Sequence, residues 1–295
     1  MTSRQDDQPL DRWADWLLRG RQQGMNPRLA RRLAGRLRRV RDRVVRGAQP
    51  RAGHYVLDVG AGTGLLATEA ARRVGRAGCV VALDVSGDAL RSLQRDGSSD
   101  EADAPVQLVA GDALHLPFRD GRFDAVLTRS VLIYVVDKST AVRELYRVLR
   151  PGGRASIYEP INRAFRAMTQ TDDLDLSPVQ PAHDRILAYV REQWEHEEAM
   201  LGFDERDLER YFEDAGFTSV HLTYEYRRDR SQRRPDEVSS TLTVRPNPTM
   251  PGYAEGAEAV LGGNAEEHIA QLARLLLARP LATVTAEAFL TARRS

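Results

Sequence analysis

The chain has 295 residues, 42% of them hydrophobic, 29% charged and 6% aromatic, with a formal net charge of +1. Those proportions exclude a disordered or fibrous chain and allow one large α/β domain with additions. The first ten residues are polar and no stretch approaches the roughly 20 apolar residues of a bilayer span, so the expectation is a cytoplasmic protein with no membrane partner.

The near-zero net charge conceals segregation along the chain: residues 28–46 carry nine arginines against Asp42, and residues 171–214 carry fourteen acids against four arginines. Lys138 is the single lysine, a bias read as codon composition rather than chemistry. Cys79 is the single cysteine, which excludes an internal disulfide and a cysteine-based metal site. It reads as a small buried strand residue, and no metal is expected.

Residues 8–47 read as helical. The better-defined half starts at Asn26 as N-cap with Pro27 at the first helical position and ends at Gly47. Leu29, Leu33, Leu37, Val40 and Val44 form one apolar stripe among arginines, the mark of a helix docked on something. From Tyr55 short apolar runs alternate with helical stretches: HYVLDVG, a helix through Ala71, CVVALDV, a helix opening near Ser86, VQLVAGD, FDAVLT, a helix over about 139–149, and RASIYEP. Alternation of this kind predicts a parallel sheet with crossover helices. Residues 161–203 read as an insertion, a polar loop followed by an acidic helix around ILAYVREQWEHEEAM. Asp204 then caps a helix ending at Gly216, and residues 218–227 form a strand. After a proline-rich loop, Asn264 and Glu267 make a capping box for a further helix, and residues 282–294 form the last strand.

The most informative segment is VLDVGAGTG, a buried strand running into a turn with Gly60, Gly62 and Gly64. Only a chain without Cβ turns so tightly and lets a ligand lie on its backbone amides. Asp84 ends the next strand, where an acid accepts hydrogen bonds from both ribose hydroxyls of an adenosine. A dinucleotide fingerprint begun at Gly60 needs glycine at position 65, and Leu65 stands there, which disfavours a dinucleotide.

The series VLDVGAGTG, VVALDVS, GDALHLPF, FDAVLTRSVLIYV and LYRVLRPGGRASIYEP resembles the class I S-adenosylmethionine-dependent methyltransferases over about residues 55–160. The resemblance implies a Rossmann-like seven-stranded sheet, mostly parallel with the last strand reversed and helices on both faces. It divides the chain into an N-terminal helical extension, 1–48, and a methyltransferase domain, 49–295, with lid insertions at about 161–203 and 235–281. It implies S-adenosyl-L-methionine as cofactor and S-adenosyl-L-homocysteine as product. Asp58, Gly60, Gly62 and Gly64 would meet the methionine end, Asp84 the ribose, Asp112 with the Ala113 amide the adenine, and Val85 would flank it. Arg129 and Ser130 would lie near the sulfonium. The segment SVLIYVV lacks the histidine that such enzymes often carry before the position of Tyr134.

Acceptor-side groups are expected at the C-terminal edge of the sheet: Glu159 and Tyr134 as catalytic candidates, with Tyr158, Asn162, Trp194 and Trp16 against the substrate. Glu159 would hold an ammonium, accept its proton, or pair with Arg163. Trp13, Trp16, Tyr189, Trp194 and His196 would close an aromatic lid. The acceptor is expected to be a nitrogen or oxygen of a small metabolite of specialised metabolism or of a peptide end, with the acidic 171–214 segment favouring an amine. The alternatives are an RNA methyltransferase that grips phosphates through the arginine-rich helix, and a cofactor-binding protein without transferase activity.

Overall fold

The computed structural model describes residues 9–22, 25–96, 102–163 and 174–295. Seven strands form one sheet: β1 Tyr55–Val59, β2 Cys79–Asp84, β3 Val106–Ala110, β4 Phe123–Arg129, β5 Leu149–Pro160, β6 Phe217–Ser231 and β7 Leu281–Arg294. Their order is β3-β2-β1-β4-β5-β7-β6. Strands β1 to β5 pair in parallel, and β7 runs antiparallel to both neighbours. The strand order reverses between β1 and β4, so a crevice opens at the carboxyl ends of these strands, where open α/β sheets bind ligands.

Both faces of the sheet are covered, which is why β1 and β2 read as continuous apolar runs rather than as alternating ones. Leu57, Leu83, Val126 and Ile157 pack with Leu145 of α5 (Lys138–Val148) and Phe212 of helix Glu205–Asp214. Val56, Val80, Ala82 and Leu127 pack on the opposite face with Val40 and Val44 of α2 (Pro27–Ala48), with Leu66 and Ala70 of α3 (Leu65–Val74) and with Leu90 of α4 (Gly87–Asp96). The period-2 alternation of strand side chains thus assigns each position to one face. Cys79 is buried in β2, and burial pushes its thiol pKa up.

The N-terminal helical stretch is broken into α1 (Arg12–Leu18), a 3₁₀ turn at Gly20–Gln22, and α2. Asn26 caps α2 as expected, its side chain accepting from the Arg28 and Leu29 amides at 3.0 and 2.9 Å. Gly47 does not end it. Gln49 does, in the left-handed conformation at φ 50°, while a Cβ at Gly47 would stand 2.5 Å from Ser156 Oγ. Gly47 therefore lets the helix lie close on β5.

After β5, the acidic helix is two helices, Gln180–Glu192 and Glu197–Leu201. Residues 1–8, and 164–173 of the expected polar loop, lie outside the described residues. The proline-rich region holds two helices, Pro235–Thr243 and Tyr253–Leu261, before Ala265–Leu277. Leu176, Val238, Leu242 and Leu272 form one small core there, and Ile186, Val190 and Ala257 another. The Asn264 capping box does not form: a 3₁₀ turn at Gly262–Asn264 runs directly into the helix, and the Asn264 side chain makes no cap bond.

Candidate active site

A cavity of about 550 Å³ opens at the carboxyl ends of β1, β2 and β4. Its floor is the turn after β1, where the Gly60 and Ala61 amides both donate to the Leu83 carbonyl at 2.8 and 2.9 Å. Gly60 has φ +69°, and a Cβ there would meet Val131 Cγ2 at 2.3 Å. Gly62, at φ +54°, also lines the cavity. Gly64 does not: it caps α3 at φ +85° and is packed on Leu93.

Three carboxylates of different standing face this space. Asp58 is fully buried; its Oδ2 accepts from the Ala67 amide at 2.9 Å, while Oδ1 is buried without a hydrogen-bond partner, and burial pushes its pKa up to about 8. A buried orphaned acceptor is costly unless a ligand donates to it. Asp84 accepts from the Gly62 amide on Oδ2 at 2.7 Å and from the Ser86 amide on Oδ1 at 2.8 Å. Burial pushes its pKa upward against those bonds, and each oxygen keeps a lone pair for a ligand donor. Asp112 accepts from the Leu114 amide at 2.9 Å, an Asx turn set in the cavity wall beside Ala113. Val85 and Ser130 complete this wall, Ser130 at φ +57° with its amide bonded to the Tyr158 carbonyl at 2.8 Å.

Helix α1 covers the cavity. Asp11 caps it and accepts from Ser86 Oγ at 2.7 Å, which ties it to the β2 edge, and Trp13 meets Tyr134 edge-on at 4.8 Å. Trp16 Nε1 donates to the Arg245 carbonyl at 3.1 Å. Beneath Trp16 lies a second cavity of about 480 Å³, which shares Trp16, Arg21, Leu37, Arg129, Ser130 and Pro160 with the first. Leu33, Val40, Val284 and Ala286 give it apolar walls, and Tyr158 and Asn162 give it polar ones. Tyr158 Oη donates to Glu287 at 2.9 Å and accepts from Arg36 at 3.2 Å. Burial raises the Tyr158 and Tyr134 pKa values to about 12.

Two expected substrate-side residues are elsewhere. Glu159 lines neither cavity: strand alternation puts it on the α5 face with Ile157, while Tyr158 faces α2. Its carboxylate is fully buried and accepts from the amides of Val131 and Leu132 at 2.9 Å and of Ile133 at 3.1 Å; burial pushes its pKa up to about 7. It holds the turn that presents Tyr134. Arg163 pairs instead with Asp204 at 3.1 Å. Trp194 donates to Met200 Sδ at 3.3 Å and packs on the main core, and Tyr189 packs in the helical cap, whereas Trp13 and His196 do line the first cavity. Arg21, Met25, Arg245 and Pro246 were not expected at the site, and no motif marks them; Leu33 and Leu37 belonged to the apolar stripe.

A glycine turn at the strand-order switch, an orphaned Asp58 oxygen for an ammonium, and an acid at the end of β2 for a ribose fit S-adenosylmethionine, and together with the sheet order they define a class I S-adenosylmethionine-dependent methyltransferase. A protein of Bacillus halodurans C-125 that carries a methyltransferase name shares the fold with a TM-score of 0.55 at 21% identity, covering 86% of this chain and 98% of its own. Residues 33–227 match the ubiE/COQ5 methyltransferase family, and the chain belongs to it. A ubiquinone/menaquinone biosynthesis C-methyltransferase, UbiE, of Idiomarina loihiensis is 34% identical over 173 residues, 58% of this chain and 68% of the relative. A demethylmenaquinone methyltransferase of Staphylococcus carnosus is 32% identical over 184 residues, 62% of this chain and 75% of the relative. Among the described residues no helix is long and apolar enough to cross a membrane, and no cluster of His, Cys, Asp and Glu is arranged to hold a metal.

Proposed function

We propose that the protein methylates a cyclic hydroxylated small molecule seated in the second cavity, at a ring carbon or a ring oxygen. The observation that carries this reading is the cavity itself: it adjoins the cofactor space, its walls are mostly apolar, and its polar lining is arginine, tyrosine, asparagine, serine and threonine with no carboxylate among the described residues. A cationic amine would find no counter-charge there. The described acids of 174–214, part of the segment that favours an amine in the sequence, do not line it. The quinone-ring chemistry in the relatives' names supports the same acceptor class.

In this reading Asp58 receives the methionine ammonium on its free oxygen, Asp84 the ribose hydroxyls, and Asp112, Ala113 and Val85 the adenine. Bound S-adenosylmethionine supplies a methyl already activated by a sulfonium, so the protein's contribution is alignment and exclusion of water. Arg129, Ser130 and Pro160 line both cavities and frame the passage between them, Tyr134 stands on the first-cavity side, and α1 with Trp13 and Trp16 closes it from solvent. Glu159 positions Tyr134 through the turn and does not touch the acceptor.

Three arginines of α2 are engaged within the protein, Arg32 with Glu237 at 2.8 Å, Arg36 with Glu287 and Arg43 with Glu225, which takes those three from a phosphate-gripping face. The test is incubation with methyl-labelled S-adenosylmethionine and either naphthalene-1,4-diol or naphthylmethylamine, with products located by mass spectrometry and NMR. Label on a ring carbon or oxygen is the expected result; label on the amine alone would remove the reading. An Asp84→Ala variant that loses calorimetric binding of S-adenosylhomocysteine checks the cofactor half separately.

A further inference from the structure

Arg21 and Arg129 line both cavities, and neither has a carboxylate within 4 Å among the described residues. Burial lowers the pKa of both, and Arg129 lowers that of Arg21 further, to about 10. The third arginine of the second cavity, Arg36, is already neutralised by Glu287. Two desolvated cations on one passage repel each other; Asp58 and Glu159 offset Arg129 only from beyond 4 Å, and a ligand that brings negative charge stabilises the arrangement. S-adenosylmethionine brings a single carboxylate for these two guanidiniums; its ammonium is matched by Asp58, and its sulfonium adds a further positive charge. One cation is left over.

We infer that Arg21 and Arg129 form a two-cation clamp, one guanidinium holding the cofactor carboxylate and the other an anionic oxygen of the acceptor, phenolate or carboxylate. This rests on the reading of the second cavity as the acceptor chamber. The planar guanidinium suits either anion through paired N–H donors. An acceptor held as a phenolate has given its hydroxyl proton to solvent, so a pair from the ring oxygen or an activated ring carbon forms the bond to the methyl carbon while the carbon–sulfur pair returns to sulfur. After attack at carbon, the proton on that carbon leaves to water and the aromatic phenolate is restored. No side-chain base is then required for attack. The clamp also selects against amines, which would add a further positive charge to the passage.

The experiment is calorimetry on the full chain saturated with S-adenosylhomocysteine, titrated with 1-naphthoate, 1-naphthalenemethanol and 1-naphthylmethylamine, an anionic, neutral and cationic set on one ring system. Naphthoate is expected to bind at least about tenfold more tightly than the other two. One of the variants Arg21→Gln and Arg129→Gln should abolish that preference. The other should weaken S-adenosylhomocysteine at least about tenfold while sparing methylthioadenosine, which lacks the carboxylate. The matching Lys variants should restore part of each effect, and circular dichroism identifies any variant that has not folded. Equal binding of the three ring probes to the parent, or Gln variants that change neither ligand, would overturn the clamp while leaving the chamber standing. Failure of all three probes to bind would remove the chamber and the clamp with it.

Discussion

The two cavities share a wall but are built by opposite means. The cofactor space is made largely of backbone and short acids from consecutive strand ends: Gly60, Gly62, Asp58, Asp84 and Asp112 lie within some fifty residues. The second cavity takes side chains from α1, α2, β4, β5, β7 and the 244–246 segment, and its charged lining is arginine alone, where the first sets Asp58, Asp84 and Asp112 beside Arg12, Arg21 and Arg129. A ligand met by backbone amides is recognised by geometry that a short contiguous motif encodes. A ligand met by side chains from across the chain is recognised by whatever the lids bring in.

That contrast predicts unequal responses to substitution. Gly60→Ala puts a methyl 2.3 Å from Val131 Cγ2 in a left-handed backbone, so calorimetric affinity for S-adenosylhomocysteine should fall about a hundredfold; near-parent affinity would mean that the floor is not set by backbone. Glu159→Gln replaces a triple acceptor with one that opposes an N–H to an N–H. It should lower kcat about tenfold and Tm by roughly 5 °C with acceptor KM little changed. A large rise in KM instead would place Glu159 against the acceptor and blur the division between the cavities.

Asp58 sharpens the comparison through pH. Its unfolded carboxyl titrates near 3.8 and the folded one near 8, so across that window the folded state holds a proton that the unfolded state lacks. Ligand-free stability therefore falls as pH rises, down to a plateau above 8. Asp58→Asn removes this slope: its Tm relative to the parent should climb by a few degrees between pH 5 and 8, while affinity for S-adenosylhomocysteine drops. A flat difference across that range would show that Asp58 is ionised in the empty site. The smallest effect belongs to the exposed pair Arg32–Glu237, outside both cavities, where Arg32→Ala should cost about 0–1 kcal/mol in urea unfolding and leave both ligands unaffected.

The legible part of the site follows the same division. Gly60, Gly62 and Asp84 are readable from turn glycines and a strand end, Asp58, Asp112 and Arg129 through the family resemblance, and the structure sets all six around one cavity. From its place near the end of β5, Glu159 reads as a group at the edge of the sheet. The period-2 alternation, visible in Ile157 and Tyr158, already turned it to the other face. Gly47 looked like a helix terminator because glycine commonly ends helices; its actual constraint, the closeness of Ser156, comes from a residue more than a hundred positions away. The helices at Pro235–Thr243 and Tyr253–Leu261 were hidden by prolines and glycines that occupy their first turns rather than breaking them.

By itself the sequence determined the strand and helix alternation, the glycine turn and the acids that follow each strand, because period, turn chemistry and local hydrogen bonding act over a few residues. Only the tertiary structure decided that Arg21 and Arg129 meet at one passage, that Trp16 roofs the second cavity while Trp194 does not, and that Glu159 is spent on the backbone. Those outcomes depend on packing between segments far apart in the chain, where burial and long-range approach, rather than local propensity, set which side chain faces which space.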